Sequence, residues 1–484
     1  MNPLKKLAGE TIIYGIPTIV ARFLNWLLVP LYTSIFEPEV YGIVVTLLAY
    51  NAIFMPLLTY GMETGYFRFA SKEKNTPVFS TIISSLIATS ALFLGLIFVF
   101  IDDIYVFLDL NIKREYIVFL AISIVIDAIC SIPFAKLRLQ SKAKKFALVK
   151  SINIGSNIFF NIIFLILFPY LERTFSIKIP FYDLSYGIGY IFVAFLLSSI
   201  LTLILMLPEF ISEKYRFSKE FYIRVIKYSL PILVVGIAGM ININLDKILL
   251  PKLLNSEEAS ALTGIYGANI KLAVIITLFV QAFKFAFEPF FFSIHKGEDS
   301  KQIYIGVLNL FTAFGLFIFL AIMFYIDKLI FFIDPAYHSG VIILPWVLMA
   351  NLFNGIYYSL SLWYKLSDKT RYGAYMAILG SIITIILNIV LIPRIGYMGS
   401  AYALFSCFFV MTVTSYLLGQ KYFKINYNLK RIGLYFTSAL SIFFISKLIV
   451  NDNIWFQMIL KTPLLLIFIM IVMYKEKLLM FKKV

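Results

Sequence analysis

Residues 303–326 read IYIGVLNLFTAFGLFIFLAIMFYI, an unbroken apolar run without a charged side chain. A helix that crosses the hydrocarbon core of a bilayer needs about 20 such residues, because every backbone N–H and C=O must be satisfied within the segment. A run this long and uniform reads as a membrane span rather than as the core helix of a soluble domain. Thirteen other stretches measure up to it: 11–33, 40–61, 78–101, 116–135, 147–170, 184–207, 225–250, 262–292, 341–362, 372–392, 397–418, 432–450 and 454–474. The stretch 262–292 is long enough to project beyond the bilayer. The longest connection, 208–224, leaves no room for an extramembrane catalytic domain. Lys5 and Lys6 precede the first stretch as they would in a signal peptide. That stretch holds Pro17, Arg22, Asn25 and Pro30 and lacks a small-x-small cleavage site, so it reads as retained.

Composition agrees. Of 484 residues, 61% are apolar and 14% charged, with a mean hydropathy of +0.90. A soluble domain is roughly 45–50% apolar and about 25% charged. Cys130 and Cys407 both lie in apolar runs, and His295 and His338 are the only histidines. Neither a disulfide framework nor a zinc cluster can be built from these. The net charge of +16 would suggest nucleic acid in a soluble chain. Here the surplus collects in the termini and in alternate connections, as in Lys136, Arg138, Lys142, Lys144, Lys145 and Lys150. The positive-inside rule makes that side cytoplasmic and places both termini there.

The spans also repeat. Tyr14-Gly15-Ile16-Pro17 opens the first and Tyr228-Ser229-Leu230-Pro231 the seventh, and Tyr41-Gly42 opens the second as Tyr266-Gly267 opens the eighth. Pro169 with Gly187-Ile188-Gly189 matches Pro393 with Gly396-Tyr397-Met398-Gly399. A six-helix repeat keeps its orientation, which predicts two parallel lobes related by an axis along the membrane normal. The division is 1–220 for the first lobe, 221–425 for the second, and 426–484 for two additional helices.

A charge at the centre of a membrane helix costs about 2.5–3.5 kcal/mol on insertion scales, so ionisable residues inside spans are functional candidates. Thr18, Arg22 and Asn25 are spaced i, i+4, i+7 and share one face of the first span. Gly239, Asn242 and Asp246 do the same in the seventh, with Lys247 adjacent. The eighth carries Lys271, then a stripe of Gln281, Lys284 and Glu288, in which Lys284 and Glu288 are placed for an i, i+4 pair. The second span runs on through Glu63 to Arg68, too far apart around the helix to pair directly. Asp127 stands alone in the fourth. Asn153, Asn157 and Asn161 line one face of the fifth, and Asn351 and Asn354 one face of the tenth. Interhelical hydrogen bonding is their plainer reading, and contact with sugar hydroxyls the functional one. Arg22 sits mid-span without an acid at helical spacing and reads as lining a cavity. The sequence contains no GxxxxGK, HExxH, nucleophile elbow or paired carboxylates, so an enzyme is not expected.

Four stretches carry a family resemblance: Tyr60–Phe69 (YGMETGYFRF), Asn244–Lys247 (NLDK), Gln281–Phe290 (QAFKFAFEPF) and Leu387–Ala401 (LNIVLIPRIGYMGSA). In these the chain resembles the oligosaccharide and polysaccharide flippases of the MOP superfamily, the multidrug, oligosaccharidyl-lipid and polysaccharide exporters. Glu63, Gln281, Glu288 and Pro289 are the motif residues. The resemblance implies an all-α membrane fold of two six-helix bundles packed as a V around a cavity that opens alternately to each side. It implies that cations on the first, second and eighth helices face that cavity, where Arg22, Arg68 and Lys271 stand, with Asn25 beside them. The usual Asp-Arg at the end of the seventh helix is Asp246-Lys247 here, which keeps the charge and loses the bidentate fork.

The expected substrate is a polyprenyl-diphosphate-linked oligosaccharide, an O-antigen, capsule or exopolysaccharide unit, carried across a bacterial cytoplasmic membrane. Its partners are then that lipid-linked oligosaccharide, the surrounding membrane lipids and the polysaccharide polymerase machinery, with no nucleic acid. No cofactor is expected. Na⁺ or H⁺ passing through Asp127 or Asp246 would be the coupling ion, unless membrane potential alone suffices. The competing reading is a cation-coupled multidrug antiporter of the same fold, which would favour carboxylates in its cavity. A membrane glycosyltransferase would need the large external loop that the chain lacks.

Overall fold

The computed structural model describes residues 19–20, 23–73, 76–110, 112–254, 258–294, 300–367, 369–449 and 453–480, with the side chains of 286–294, 300, 366, 454 and 477–480 excepted. Helices dominate, and no strand occurs among the described residues. In chain order they are α1 (Phe23–Ile35), α2 (Pro38–Thr59), α3 (Met62–Ala70), α4 (Val78–Val99), α5 (Ile101–Leu108), α6 (Arg114–Leu139) and α7 (Ala143–Phe175). There follow α8 (Gly189–Ile211), α9 (Lys219–Leu253), α10 (Ala259–Leu272), α11 (Val274–Ile294) and α12 (Ser300–Phe324). The last are α13 (Leu344–Leu360), α14 (Arg371–Ile395), α15 (Tyr397–Tyr422), α16 (Leu429–Ser446) and α17 (Ile454–Met480).

Twelve helical segments are long and apolar enough to cross a membrane, and the bent pair α10–α11 makes a thirteenth. The chain is thus a multi-pass membrane protein, but the count of fourteen is not reached among the described residues. The span expected at 11–33 is described only as the short helix Phe23–Ile35. The stretch 262–292 is not one helix either. It bends by 52° between Leu272 and Val274.

Local chemistry accounts for several ends. Pro38 occupies the first turn of α2, where its missing N–H leaves nothing unpaired. The Ser218 and Asn428 side chains accept from the Phe221 and Arg431 amides at the starts of α9 and α16. Between α2 and α3, Tyr60 and Gly61 both adopt left-handed backbone, with φ of 31° and 73°. The glycine meets that demand without strain, and the chain changes direction while keeping one apolar path to Ala70.

In the first half, α8 packs on α6 and α7, and α4 and α2 pack on α6. In the second, α13 and α14 pack on α15, α9 on α14, and α12 on α13, with α16 and α17 against α12. The halves meet chiefly along α2, which touches both α9 and α10. A Cβ on Gly42 would overlap the Ser260 carbonyl, and one on Gly264 the Pro38 carbonyl, so α2 and α10 cross backbone to backbone. Without a hydrophobic force between helices in lipid, such close approach is the main source of adhesion.

The basic run is not all turned to headgroups. Lys136 is buried on α6, 3.4 Å from the Glu209 carboxylate and 2.8 Å from that of Glu213. Lys145 reaches Glu209 at 2.8 Å. Arg138 is ion-paired with Glu63, tying α6 to α3. Part of the basic run therefore fastens helices to one another.

A cavity between the halves, floored by a broken helix

The α10–α11 break borders the site. α10 ends with Lys271 in its last turn, where the negative end of the helix dipole favours a cation. Breaking the ladder frees carbonyls at membrane depth, and one is satisfied from another helix: Trp26 Nε1 donates to the Lys271 carbonyl at 2.8 Å. Trp26 is itself stacked on Phe332 at 3.9 Å.

Against this break lies a cavity of about 270 Å³. Asn25, Val29 and Tyr32 of α1, Val44 and Leu48 of α2, Asn244 and Lys247 of α9, and Gly267 and Lys271 of α10 line it. Its polar groups are two lysines, two asparagines and tyrosine hydroxyls. Among the described residues the lining contains no carboxylate. Tyr41 of the lining continues into a tyrosine pair at the start of α2. Tyr41 and Tyr337 meet edge to face at 5.8 Å, and the Tyr337 hydroxyl donates to the Phe36 carbonyl at 2.6 Å. The Gly42–Gly264 crossing lies in the same layer.

Asp246 stands just behind the lining. Its carboxylate accepts from the Tyr266 hydroxyl and, at 2.9 Å, from the Lys247 ammonium, which also donates to the Ile243 carbonyl. This aspartate is buried and fully engaged, and it fixes Lys247 in place. Lys271 is exposed to the cavity.

The other expected site residues are distributed differently. Arg22 lies outside the described residues, as do the side chains of Glu288 and Pro289. Arg68 stands apart from this cavity, its guanidinium 4.2 Å from the Tyr228 ring across the seam between the halves. Asp127 accepts from the Ser199 hydroxyl at 3.0 Å, inside the α6–α8 packing of the first half. Glu63 is held by Arg138. Gln281 buries a side-chain oxygen without a hydrogen-bond partner. The asparagines of α7 serve their neighbours. Asn153 donates to Thr202 at 2.8 Å, and Asn161 accepts from Tyr32 at 3.0 Å and donates to the Asn157 carbonyl at 2.8 Å. Asn351 donates to the Val347 carbonyl of its own helix.

Lys247 and Asn244 are cavity residues that the sequence reading did not place. Their i, i+3 spacing puts them on one face of α9, away from the Asp246 face, and that spacing was the available signal. The helix break had none, since neither proline nor glycine falls between Ile270 and Ile276.

Comparison with known proteins agrees with this architecture. A structure of the lipid II flippase MurJ in an inward closed conformation superposes with a TM-score of 0.72 at 18% identity, covering 96% of this chain and 99% of that one. An inward-facing multidrug resistance MATE family transporter of the MOP superfamily gives 0.54 at 13% identity, over 87% of this chain and 94% of its own. A MOP superfamily transporter from Pyrococcus furiosus, described as having a binding pocket of reversed polarity, gives 0.58 at 13% identity, over 87% and 98%. No curated protein matches in sequence. Residues 7–295, more than half of the chain, match the family described as polysaccharide biosynthesis protein. The chain therefore belongs to the polysaccharide biosynthesis protein family, with the all-helical fold of the MOP superfamily transporters.

Proposed function

We propose that the protein is a flippase that moves a polyprenyl-diphosphate-linked oligosaccharide from the cytoplasmic to the outer leaflet of a bacterial cytoplasmic membrane. The observation that carries this reading is the cavity lining: Lys247 and Lys271 face it and no carboxylate does among the described residues, Asp246 standing behind Lys247. A glycan on an anionic diphosphate cannot cross hydrocarbon unaided, because its polar groups would lose their hydration without replacement. Fixed ammoniums supply that replacement for the phosphates, while Asn25, Asn244 and the tyrosine hydroxyls offer hydrogen bonds to sugars. Rocking of the two halves about the α2 contacts would then expose the cavity to each side in turn. The apolar tail stays in the bilayer throughout.

A drug antiporter of the same fold is the second reading, supported by the likeness to the multidrug transporter. Cationic drugs would require acidic groups in the lining, and the lysines there favour the anion. For ion coupling, Asp127 is the better candidate of the two aspartates. It accepts a hydrogen bond from the neutral Ser199 hydroxyl, with Lys150 as the nearby cation, whereas Asp246 is committed to Lys247 and Tyr266.

The test is translocation of a lipid-linked oligosaccharide in proteoliposomes containing the purified chain, set beside extrusion of a cationic dye. Translocation without dye transport is expected. Dye transport alone would overturn the flippase reading in favour of the antiporter.

A further inference from the structure

The seam where α2 and α3 meet α9 has two flanks of opposite chemistry. Phe221, Val225 and Ser229 form the strip of α9 that packs on α3. Phe69 meets Phe221 edge to face at 5.4 Å. A Cβ on Gly65 would come within 2.7 Å of the Val225 side chain, and one on Gly61 within 2.6 Å of the Ser229 carbonyl. At about 100° per residue, Tyr222, Ile226 and Leu230 lie to one side of this strip and Arg224 and Tyr228 to the other.

On the first flank there is an apolar crevice of about 330 Å³, walled by Leu57, Leu92 and Leu96 from the first half and by Tyr222, Ile226 and Leu230 from the second. Two of its polar groups are used within the first half. The Tyr60 hydroxyl donates to Ser85 at 2.9 Å, and Thr89 donates to the Ser85 carbonyl at 3.0 Å. The rest of the wall is mostly leucine, isoleucine and phenylalanine, which suits a hydrocarbon chain better than a sugar. On the second flank, Arg68 lies over Tyr228 at 4.2 Å, and Arg224 grips Glu73 through two hydrogen bonds of 3.1 Å. Arg68 is exposed, and stacking on a ring leaves the in-plane N–H donors of a guanidinium pointing outward, toward any phosphate that arrives. Between the flanks, Gly61 and Gly65 bring the α3 backbone close to Val225 and Ser229, with Phe69 closing the strip against Phe221 at the end nearer Ala70.

We propose that this seam is a lateral portal for an isoprenoid diphosphate: the tail occupies the crevice, the diphosphate is taken by Arg68, and the link between them crosses the glycine strip when the halves part. The proposal rests on the transport reading above and adds to it the place where the lipid is received. The Arg68 charge selects this occupant over a neutral lipid, and the apolar crevice selects it over a free sugar phosphate.

The test uses the full chain in nanodiscs of phosphatidylethanolamine and phosphatidylglycerol, with undecaprenyl diphosphate as the probe. Ile226→Cys is labelled with a benzophenone maleimide, and Phe314→Cys, in the separate apolar groove between α12 and α17, is the comparison position. Both native cysteines are buried, which directs the label to the new thiol. Crosslinking to the probe at position 226, competed by excess unlabelled undecaprenyl diphosphate, is expected to exceed that at 314. Arg68→Gln should reduce it about tenfold, the loss of one charge-assisted hydrogen-bonding partner, with Arg68→Lys intermediate. Crosslinks that excess probe does not compete away, or equal yields at 226 and 314, would mean bulk lipid only and overturn the portal. Saturable binding in the same discs without crosslinking at 226 would overturn the portal alone. Absence of saturable binding would overturn both the portal and the transport reading.

Discussion

At the scale of single residues, Lys271 carries the most. It sits at the end of a half-helix, its own carbonyl held by Trp26, and lines the cavity together with Lys247. Lys271→Gln should slow lipid-linked oligosaccharide translocation by about ten- to a hundredfold, since a charge-assisted contact in a water-poor site is worth about 1.5–3 kcal/mol. Lys271→Arg should lose far less, because the dipole and cavity ask for charge rather than for ammonium geometry. Equal loss in both variants would argue that the shape of the lysine side chain, and not its charge, is what matters. A structural residue behaves differently. Glu209 is 6% exposed and holds both Lys136 and Lys145. Glu209→Ala leaves Lys136 buried with Glu213 as its remaining acid, and should destabilise by about 3 kcal/mol, near the lower end for a broken buried pair. The double variant Glu209→Gln with Lys136→Met should recover much of that in a thermal-unfolding measurement. Helical spacing in the sequence was enough to put Asn25 and the Asp246 neighbourhood on particular faces. It could not say what each face would meet. The three α7 asparagines share a face, yet Asn153 and Asn161 spend their hydrogen bonds on Thr202, Tyr32 and their own helix.

At the scale of elements, most spans were legible because lipid imposes a length and a composition on each one. The α10–α11 break was not. Apart from Lys271, residues 270–276 are an ordinary apolar run without proline or glycine, and the carbonyl at the bend is met by a partner remote in sequence, Trp26 from α1. The opposite case is α2, whose Tyr41-Gly42 was visible as half of a repeat but whose role is to be clamped by α10 near one end while α3 is clamped by α9 near the other. The α2–α10 crossing should be intolerant of added volume. Gly264→Ala places a methyl against the Pro38 carbonyl, a backbone group that cannot turn aside. The expected cost is about 1–3 kcal/mol of overpacking, relieved by separating the helices at the start of α2. Cysteine accessibility at positions near Tyr41 should then rise, together with a lower unfolding temperature. Unchanged accessibility would show that this crossing does not close the cavity.

At the scale of the whole molecule, charge asymmetry and cavity chemistry bear on the energy of transport. The basic ends of the helices mark the side expected to be cytoplasmic, and the proposed cargo is an anion moving away from it. An unneutralised diphosphate carries about two negative charges, and an inside-negative potential drives these outward by about 2.3 kcal/mol per charge per 100 mV, or roughly 4–5 kcal/mol in all. The fixed lysines travel little in a rocking motion compared with the cargo, so most of the field acts on the phosphates. Translocation in proteoliposomes should therefore accelerate when a K⁺-valinomycin potential is imposed negative on the loading side, and slow when its sign is reversed. If Asp127 couples an inward cation, an opposed Na⁺ or H⁺ gradient should add to that acceleration, and Asp127→Asn should abolish the gradient's share while leaving the response to potential. Rates indifferent to potential and to both gradients would show that the cargo crosses with its charge compensated, and would remove the electrical driving force from the mechanism.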